Sequence, residues 1–248
     1  MTPSPQLAAD RAGIRAWNGT FVRSRFFDAL SLLLPAGEQF LIDTLQSWRA
    51  ASEPPADSEL SREVDRFIRE EQAHRRAHAN YNAALVAALP SVRAVAERAG
   101  RITDDLTGFG MPMKLALVAA FEHLTAVLAQ EIEAHRFFIA EENTRAGWLW
   151  KWHAREELGH RHVAVLVARH AGLGRGVLTL ALLLATGYLT GDLLRYTFAL
   201  CRCDVRAGTR QWALLADTAR FAFGAIPSLM RMTRHWFALL LSPSRCTH

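Results

Sequence analysis

Eight side chains could carry chemistry in this sequence. Between His153 and His160 the chain reads His-Ala-Arg-Glu-Glu-Leu-Gly-His, and on a helix turning about 100° per residue His153, Glu157 and His160 project from one face. Glu71, His74 and His78 form a second such cluster, and single glutamates stand in apolar surroundings at Glu38 and Glu122. Two helices each giving a Glu-x-x-His, and two more each giving a Glu, are the inventory of a dinuclear metal site in a four-helix bundle. Carboxylate and imidazole donors suit iron, manganese or zinc, and no cysteine accompanies them to draw a softer metal. Four carboxylates facing two divalent cations form a formally neutral cluster, which removes most of the cost of burying either set alone. Two metal ions, iron first, are therefore expected on Glu38, Glu71, His74, Glu122, Glu157 and His160, with His153 and His78 as additional nitrogen donors.

Each of these residue types has an ordinary use. A lone histidine on an apolar seam is usually hydrogen-bonded core, and a glutamate in a first turn complements the helix dipole. A Glu and two His in consecutive turns, all aimed inward, would instead be a costly desolvated cluster unless a cation satisfied it. Helical phase leaves one choice open, because Glu70 and Glu156 lie within a turn of the same histidines. Glu71 and Glu157 give the Glu-x-x-His spacing, and their neighbours are expected as outer or surface groups.

The elements that must position these residues read as helices, with no convincing period-two alternation, so the expected class is all-α: a ferritin-like four-helix bundle with a long crossover plus C-terminal apolar and basic helices. A first helical region covers about 21–49 and is expected to break at Leu34-Pro35-Ala36-Gly37, since proline lacks the N–H donor; Glu38 then falls in the first turn after the break. Asp57 or Ser58 should cap a second helix reaching about Leu89, with Val64, Phe67, Glu71, His74, His78 and Leu85 on one stripe. Residues 90–110 are long enough to run the length of a bundle. Pro112 suits the first turn of a third helix extending to about Ala140, its inward face including Leu115, Val118 and Glu122, with His123 beside it. Farther along, Glu131, Glu133, His135, Glu141 and Glu142 read as a solvated face. The fourth helix begins near Thr144, carries Trp148, Trp150 and Trp152 ahead of its ligands, and ends at Gly172, Gly174 and Gly176. The tryptophans read as core and rim packing, with one available to wall a cavity. The implied division is a polar tail over 1–20, a metal-binding bundle over 21–172 and a helical appendage over 173–248.

Half of the 248 residues are apolar, enough for a sizeable core, and the formal charge is +5. Up to Arg15 the N-terminus is polar and broken by Pro3 and Pro5, with no apolar core for a secretory signal, so a cytoplasmic location is expected. Cys201, Cys203 and Cys246 are too few for a disulfide framework and read as reduced bystanders. No basic patch interleaved with aromatics points to nucleic acid. Beyond Ala168 stand ten Arg, three Asp and no Glu or Lys. The longest uncharged run there, 176–191, is shorter than the roughly 20 residues of a membrane span. Apolar blocks such as Phe221 to Met230 and Trp236 to Leu241 between arginines suit either packing, on the bundle or on a second copy in a homodimer, or peripheral contact with an anionic membrane at its inner face.

Four motifs in order carry a resemblance: Pro-Ala-Gly-Glu at 35–38, Glu-Gln-Ala-His-Arg-Arg-Ala-His at 71–78, Phe-Glu-His-Leu-Thr-Ala at 121–126 and Trp-His-Ala-Arg-Glu-Glu-Leu-Gly-His at 152–160. Together they resemble a widespread bacterial family of predicted metal-dependent hydrolases. The departures are Glu70, where the family pattern suggests Gln, and a C-terminus, Ser-Pro-Ser-Arg-Cys-Thr-His, without the aromatic-His-Pro ending. The His-x-x-x-Glu-x-x-His of His153, Glu157 and His160 is also similar to the fourth helix of ferritin-like di-iron arylamine N-oxygenases. That second resemblance implies His153 as a third histidine ligand and a reduced cluster that activates O₂. The expected function is thus a non-haem di-iron oxidase or oxygenase of a small, lipophilic substrate, served by an electron donor protein, with His153 and His78 in catalytic roles. The alternatives are a hydrolase using a metal-activated water, and an iron-storage or structural metal bundle.

Overall fold

The computed structural model describes residues 16–52 and 58–237. The polar residues up to Arg15, the linker residues 53–57 and the C-terminus from 238, with Cys246 and most of the 236–241 apolar block, lie outside them. The described residues form helices and no strand: α1 (Phe21–Ser52), α2 (Glu59–Ala88), a short α3 (Arg93–Ala99), α4 (Met111–Ala134), α5 (Arg145–His170), α6 (Arg175–Arg206) and α7 (Gln211–Trp236). The chain is an all-α bundle. Its starts are written locally. Ser58 Oγ accepts the Ser61 N–H at 3.1 Å to cap α2, Thr144 Oγ1 accepts that of Gly147 at 2.9 Å to cap α5, and Pro112 sits in the first turn of α4.

Core clusters fix the directions. One end gathers Phe40, Leu45 and Trp48 late in α1, Val64 and Phe67 early in α2, Leu115 to Ala120 early in α4, and Val163 to Ala168 late in α5. At the other end the start of α1 (Phe27, Leu30) meets the end of α4 (Ala129, Ile132) and the start of α5 (Trp150), while Leu32 and Leu33 meet Leu85 at the end of α2. Hence α1 is antiparallel to α2, α2 runs parallel to α4, and the connection between those two travels the bundle's length, from Val92, Val95 and Ala99 at one end to Leu106 at the other. Helix α6 lays Leu178, Ala181, Leu182 and Ala185 on one end of this core and Tyr196, Leu200 and Cys203 on the other. Helix α7 returns alongside, and at Gly224 it approaches Phe137 so closely that a Cβ would come within 2.5 Å of the ring.

Three sequence expectations are corrected. Helix α1 continues through Pro35 without a break, because the Ser31 carbonyl that proline leaves without a donor accepts Asn82 Nδ2–H from α2 at 2.7 Å. Glu38 is consequently a buried mid-helix residue and not a first-turn dipole partner. Helix α4 stops at Ala134, short of Ala140, and Glu131 is buried against Arg231 of α7, with Arg231 Nη2 donating to Oε2 at 2.8 Å, instead of facing solvent. Among the described residues two helices, α4 and α6, are long and apolar enough to cross a membrane by length and composition alone; α4 is largely buried in the bundle, α6 much less so.

Candidate metal centre

The four central helices bring the candidate residues together midway along the bundle: Glu38 from α1, Glu71, His74 and His78 from α2, Glu122 from α4, and His153, Glu157 and His160 from α5, all buried. One ligand atom from each of Glu71, His74, Glu157 and His160 falls within 4.8 Å of the others, and the same holds for Glu38, His78 and His153. Glu157 Oε1 lies 3.3 Å from His74 Nδ1, 3.3 Å from His153 Nε2 and 3.7 Å from His160 Nδ1. Glu71 Oε1 lies 2.6 Å from His160 Nδ1 and 3.5 Å from His74 Nδ1, and Glu122 Oε2 reaches within 4.0 Å of His160 Nδ1. His123, beside Glu122 in sequence, turns away and makes a 3.2 Å contact through Nε2 with the Trp236 carbonyl of α7.

Two outer carboxylates resolve the choice that helical phase left open. Glu157 is buried, whereas Glu156 lies at the rim with Oε2 4.0 Å from His74 Nε2. Glu70, also at the rim, has Oε2 3.1 Å from His160 Nε2. In each adjacent pair, one glutamate enters the cluster and the other faces the outer nitrogen of the histidine on the opposite helix. A carboxylate accepting from the outer N–H fixes the ring and leaves the inner nitrogen to bind. Removing such a partner typically costs about 10–100-fold in metal affinity. Glu70→Ala is therefore expected to weaken metal binding by that order while leaving the apo-protein folded, as read by competition with a chromogenic chelator.

His78 is oriented by a chain of bonds that the sequence did not advertise. Asn82 Nδ2 is committed to the Ser31 carbonyl, so Asn82 Oδ1 accepts the Ser31 hydroxyl at 2.8 Å. That hydroxyl, its proton spent, accepts from His78 Nδ1 at 2.9 Å. His78 Nε2 is left with its lone pair bare, buried and unpartnered. Proline 35 thus reaches the site through the carbonyl it frees.

The donor set fits divalent cations. Ten buried polar atoms of the eight residues find no aligned hydrogen-bond partner: both oxygens of Glu38, one each of Glu71, Glu122 and Glu157, both nitrogens of His74, and one each of His78, His153 and His160. Buried donors and acceptors unpaired at this density would be satisfied by bound cations. The charge state agrees. Burial and then the charges of Glu71 and Glu157 push Glu38 and Glu122 well above the ordinary carboxyl range. Burial favours neutral His74 and His160, but Glu157 and Glu71 outweigh it and push them up to about 9 and about 12. His153 and His78, with burial dominant, are held low, His153 at about 4. Without metal, protons on His74 and His160 would balance the carboxylates, and bound ions would displace them. Metal uptake at pH 7 is expected to release at least two protons per chain, and apparent affinity to fall roughly tenfold per proton for each pH unit lowered. An indicator-dye titration in weak buffer reads the first and metal binding against pH the second; uptake without proton release would remove this account.

A cavity of about 810 Å³ reaches the cluster from one side and ends on His153 and Glu157, with apolar walls that include Leu30, Leu128, Trp150 and Phe221. Of the three tryptophans, Trp150 is buried and lines it, Trp152 sets its ring 5.0 Å from that of His74, and Trp148 is exposed. A more polar pocket of about 480 Å³, where Arg75 and Lys114 project, has none of the eight candidate residues in its wall. Of these two, the apolar cavity is the one that reaches the cluster.

A family model described as "Predicted metal-dependent hydrolase" matches residues 6–244, nearly the whole chain. No curated protein and no solved structure matches it.

Proposed function

The chain belongs to the family of predicted metal-dependent hydrolases, and we propose that within it this protein is a dinuclear metal enzyme that oxidises a small apolar molecule with O₂. The observation that carries this reading is the convergence of one buried glutamate from each of four helices with one Glu-x-x-His from each of two, the donor set of dinuclear carboxylate oxidation sites. The groups Glu71, His74, Glu157, His160 and Glu38, His78, His153, with Glu122 alongside, would hold two ions. Iron, when bound, supplies redox chemistry toward O₂. For insertion into a C–H bond the balance is R–H + O₂ + 2e⁻ + 2H⁺ → R–OH + H₂O, the electrons coming from a one-electron donor protein.

The chain's own residues bind, orient and exclude water. Apolar walls hold the substrate and keep bulk water from the cluster. His153 stands where cavity and cluster meet, with Nε2 against Glu157 and Nδ1 unpartnered. The nitrogen that does not face an ion would be free to exchange a proton with a bound molecule. The bare Nε2 of His78, on a ring 4.8 Å from that of His153, is the nitrogen it would offer to an ion.

The family description favours a second reading, hydrolysis of an apolar ester by a metal-activated water. Purification from iron-supplemented cells separates the two. Two irons per chain, a near-ultraviolet absorption that bleaches on reduction and O₂ uptake by the reduced protein support oxidation. Colourless zinc or manganese protein that turns over a long-chain p-nitrophenyl ester, without O₂ uptake in the iron form, would establish the hydrolase.

A further inference from the structure

Helices α6 and α7 turn an apolar face outward. On α6, Leu180, Leu183, Leu194 and Phe198 recur at helical spacing and are exposed; on α7, Trp212, Leu215, Phe223 and Met230 do the same, Trp212 at 82% and Phe223 at 73%. Charge on these helices is sorted by sign. Seven arginines between Arg175 and Arg234 are exposed, whereas Asp204 and Asp217 are buried and Asp192 is half-buried. Arg202 places its guanidinium 5.8 Å from the Phe198 ring, a cation at the edge of the apolar strip.

The cavity opens on this face. Helices α6 and α7 are joined at one end by the turn 207–210 and at the other by Trp236 Nε1 donating to Thr186 Oγ1 at 2.9 Å. Between those ties, Leu194 of α6 and Ala222 and Leu229 of α7 are exposed and line the cavity whose inner end is His153 and Glu157. An apolar passage therefore joins the exposed strip to the metal cluster.

We propose that the α6–α7 face docks on an anionic lipid surface and that an apolar substrate dissolved in the bilayer enters through the slot between the two helices. The substrate half of this proposal rests on the cluster being the reaction centre; the docking half does not. A lipid surface fits the two features at once, since apolar side chains bury at the acyl boundary while flanking arginines meet anionic headgroups. A second copy packed across a two-fold axis would set arginines against arginines and close the slot. The α6 helix lies on the membrane and does not cross it, because the buried Arg25–Asp204 ion pair and Ala181, Leu182 and Ala185 hold its other face to the bundle.

The test uses the full chain with phosphatidylcholine vesicles, with and without phosphatidylglycerol. Co-sedimentation with the anionic vesicles at low salt and release at high salt are expected. Arg202→Ala with Arg220→Ala should weaken partitioning roughly 25-fold, about fivefold for each arginine, and Trp212→Ala with Phe223→Ala should also release protein. His160→Ala should lose metal yet bind vesicles like wild type, so failure of the metal reading and failure of docking give different results. Protein that stays in the supernatant with anionic vesicles overturns docking. So does a dimer that Phe223→Ala dissociates, or association that only detergent reverses. For the slot, a nitroxide-labelled stearate should give a strongly immobilised spectrum with wild type and Trp212→Ala but not with Ala222→Trp, or with Leu229→Trp should the former not fold. An immobilised spectrum that persists in the plugged variant overturns the passage.

Discussion

Glu157→Ala will leave a folded protein that no longer holds its metals. One oxygen of this carboxylate stands 3.3–3.7 Å from nitrogens of His74, His153 and His160, so its loss removes an anion shared by three of the four histidines. Those rings stay packed by their neighbours, His74 against Trp152 and His160 against Phe67 at 5.0 Å each. The fold therefore has no cause to collapse. Metal content should drop below one ion per chain and turnover should vanish. Because a ligand that binds only the folded state stabilises it, by about 4 kcal/mol at a thousand times its Kd, added metal should raise the wild-type melting temperature but leave that of Glu157→Ala unmoved. Glu156→Ala, one position away, removes only an outer carboxylate 4.0 Å from His74 Nε2 and should keep two ions at saturating metal, with affinity lowered by no more than about 10–100-fold. A Glu157→Ala protein with two tightly held ions would show that the cluster is organised around another group.

Arg25→Met should be the most destabilising single change outside the metal site. The Arg25 side chain is fully buried, with Nη1 donating to Asp28 Oδ2 at 2.5 Å and Nε and Nη2 donating to Asp204 at 2.7 and 3.0 Å. Burial disfavours the cation, yet the two carboxylates outweigh it and raise its pKa. Asp28 is held further by Tyr81 Oη at 2.5 Å and Trp17 Nε1 at 3.0 Å. The network ties α1 to α6 and hence the bundle to the helices that wall the cavity. Methionine keeps the volume and removes the charge, leaving two buried carboxylates without their cation, which typically costs about 3–5 kcal/mol. In a chain of this size the melting temperature should fall by roughly 10 °C. Adding Asp204→Asn should recover part of the loss, giving a coupling that independent sites would not show. A fall of only a degree or two would mean that water reaches the carboxylates.

The sequence by itself determined the helices, the cap at Ser58, the parallel placement of α2 and α4 through a long crossover, and the identity of the inward Glu and His residues. Each depends on spacing within a few turns, and helical periodicity converts such spacing directly into a shared face. Helical phase alone did not separate Glu157 from Glu156, which stand about 100° apart; the Glu-x-x-His spacing favoured Glu157, and packing against His74 of another helix is what turns it in and leaves Glu156 at the rim. Pro35 is the clearest case. Its missing N–H predicts a break from local chemistry, and α1 runs on because Asn82, 51 positions beyond Ser31, supplies the donor to the Ser31 carbonyl. Glu131 followed the same rule in reverse, looking solvated until Arg231, 100 positions on, was folded against it. Arg25 carried no signal at all, because a buried arginine differs from an exposed one only in what closes over it. The cavity belongs to this second group. Its outer wall is made by α6 and α7, whose apolar residues have the same local pattern whether they face a core, a lipid surface or a substrate, and only packing against the bundle decides which.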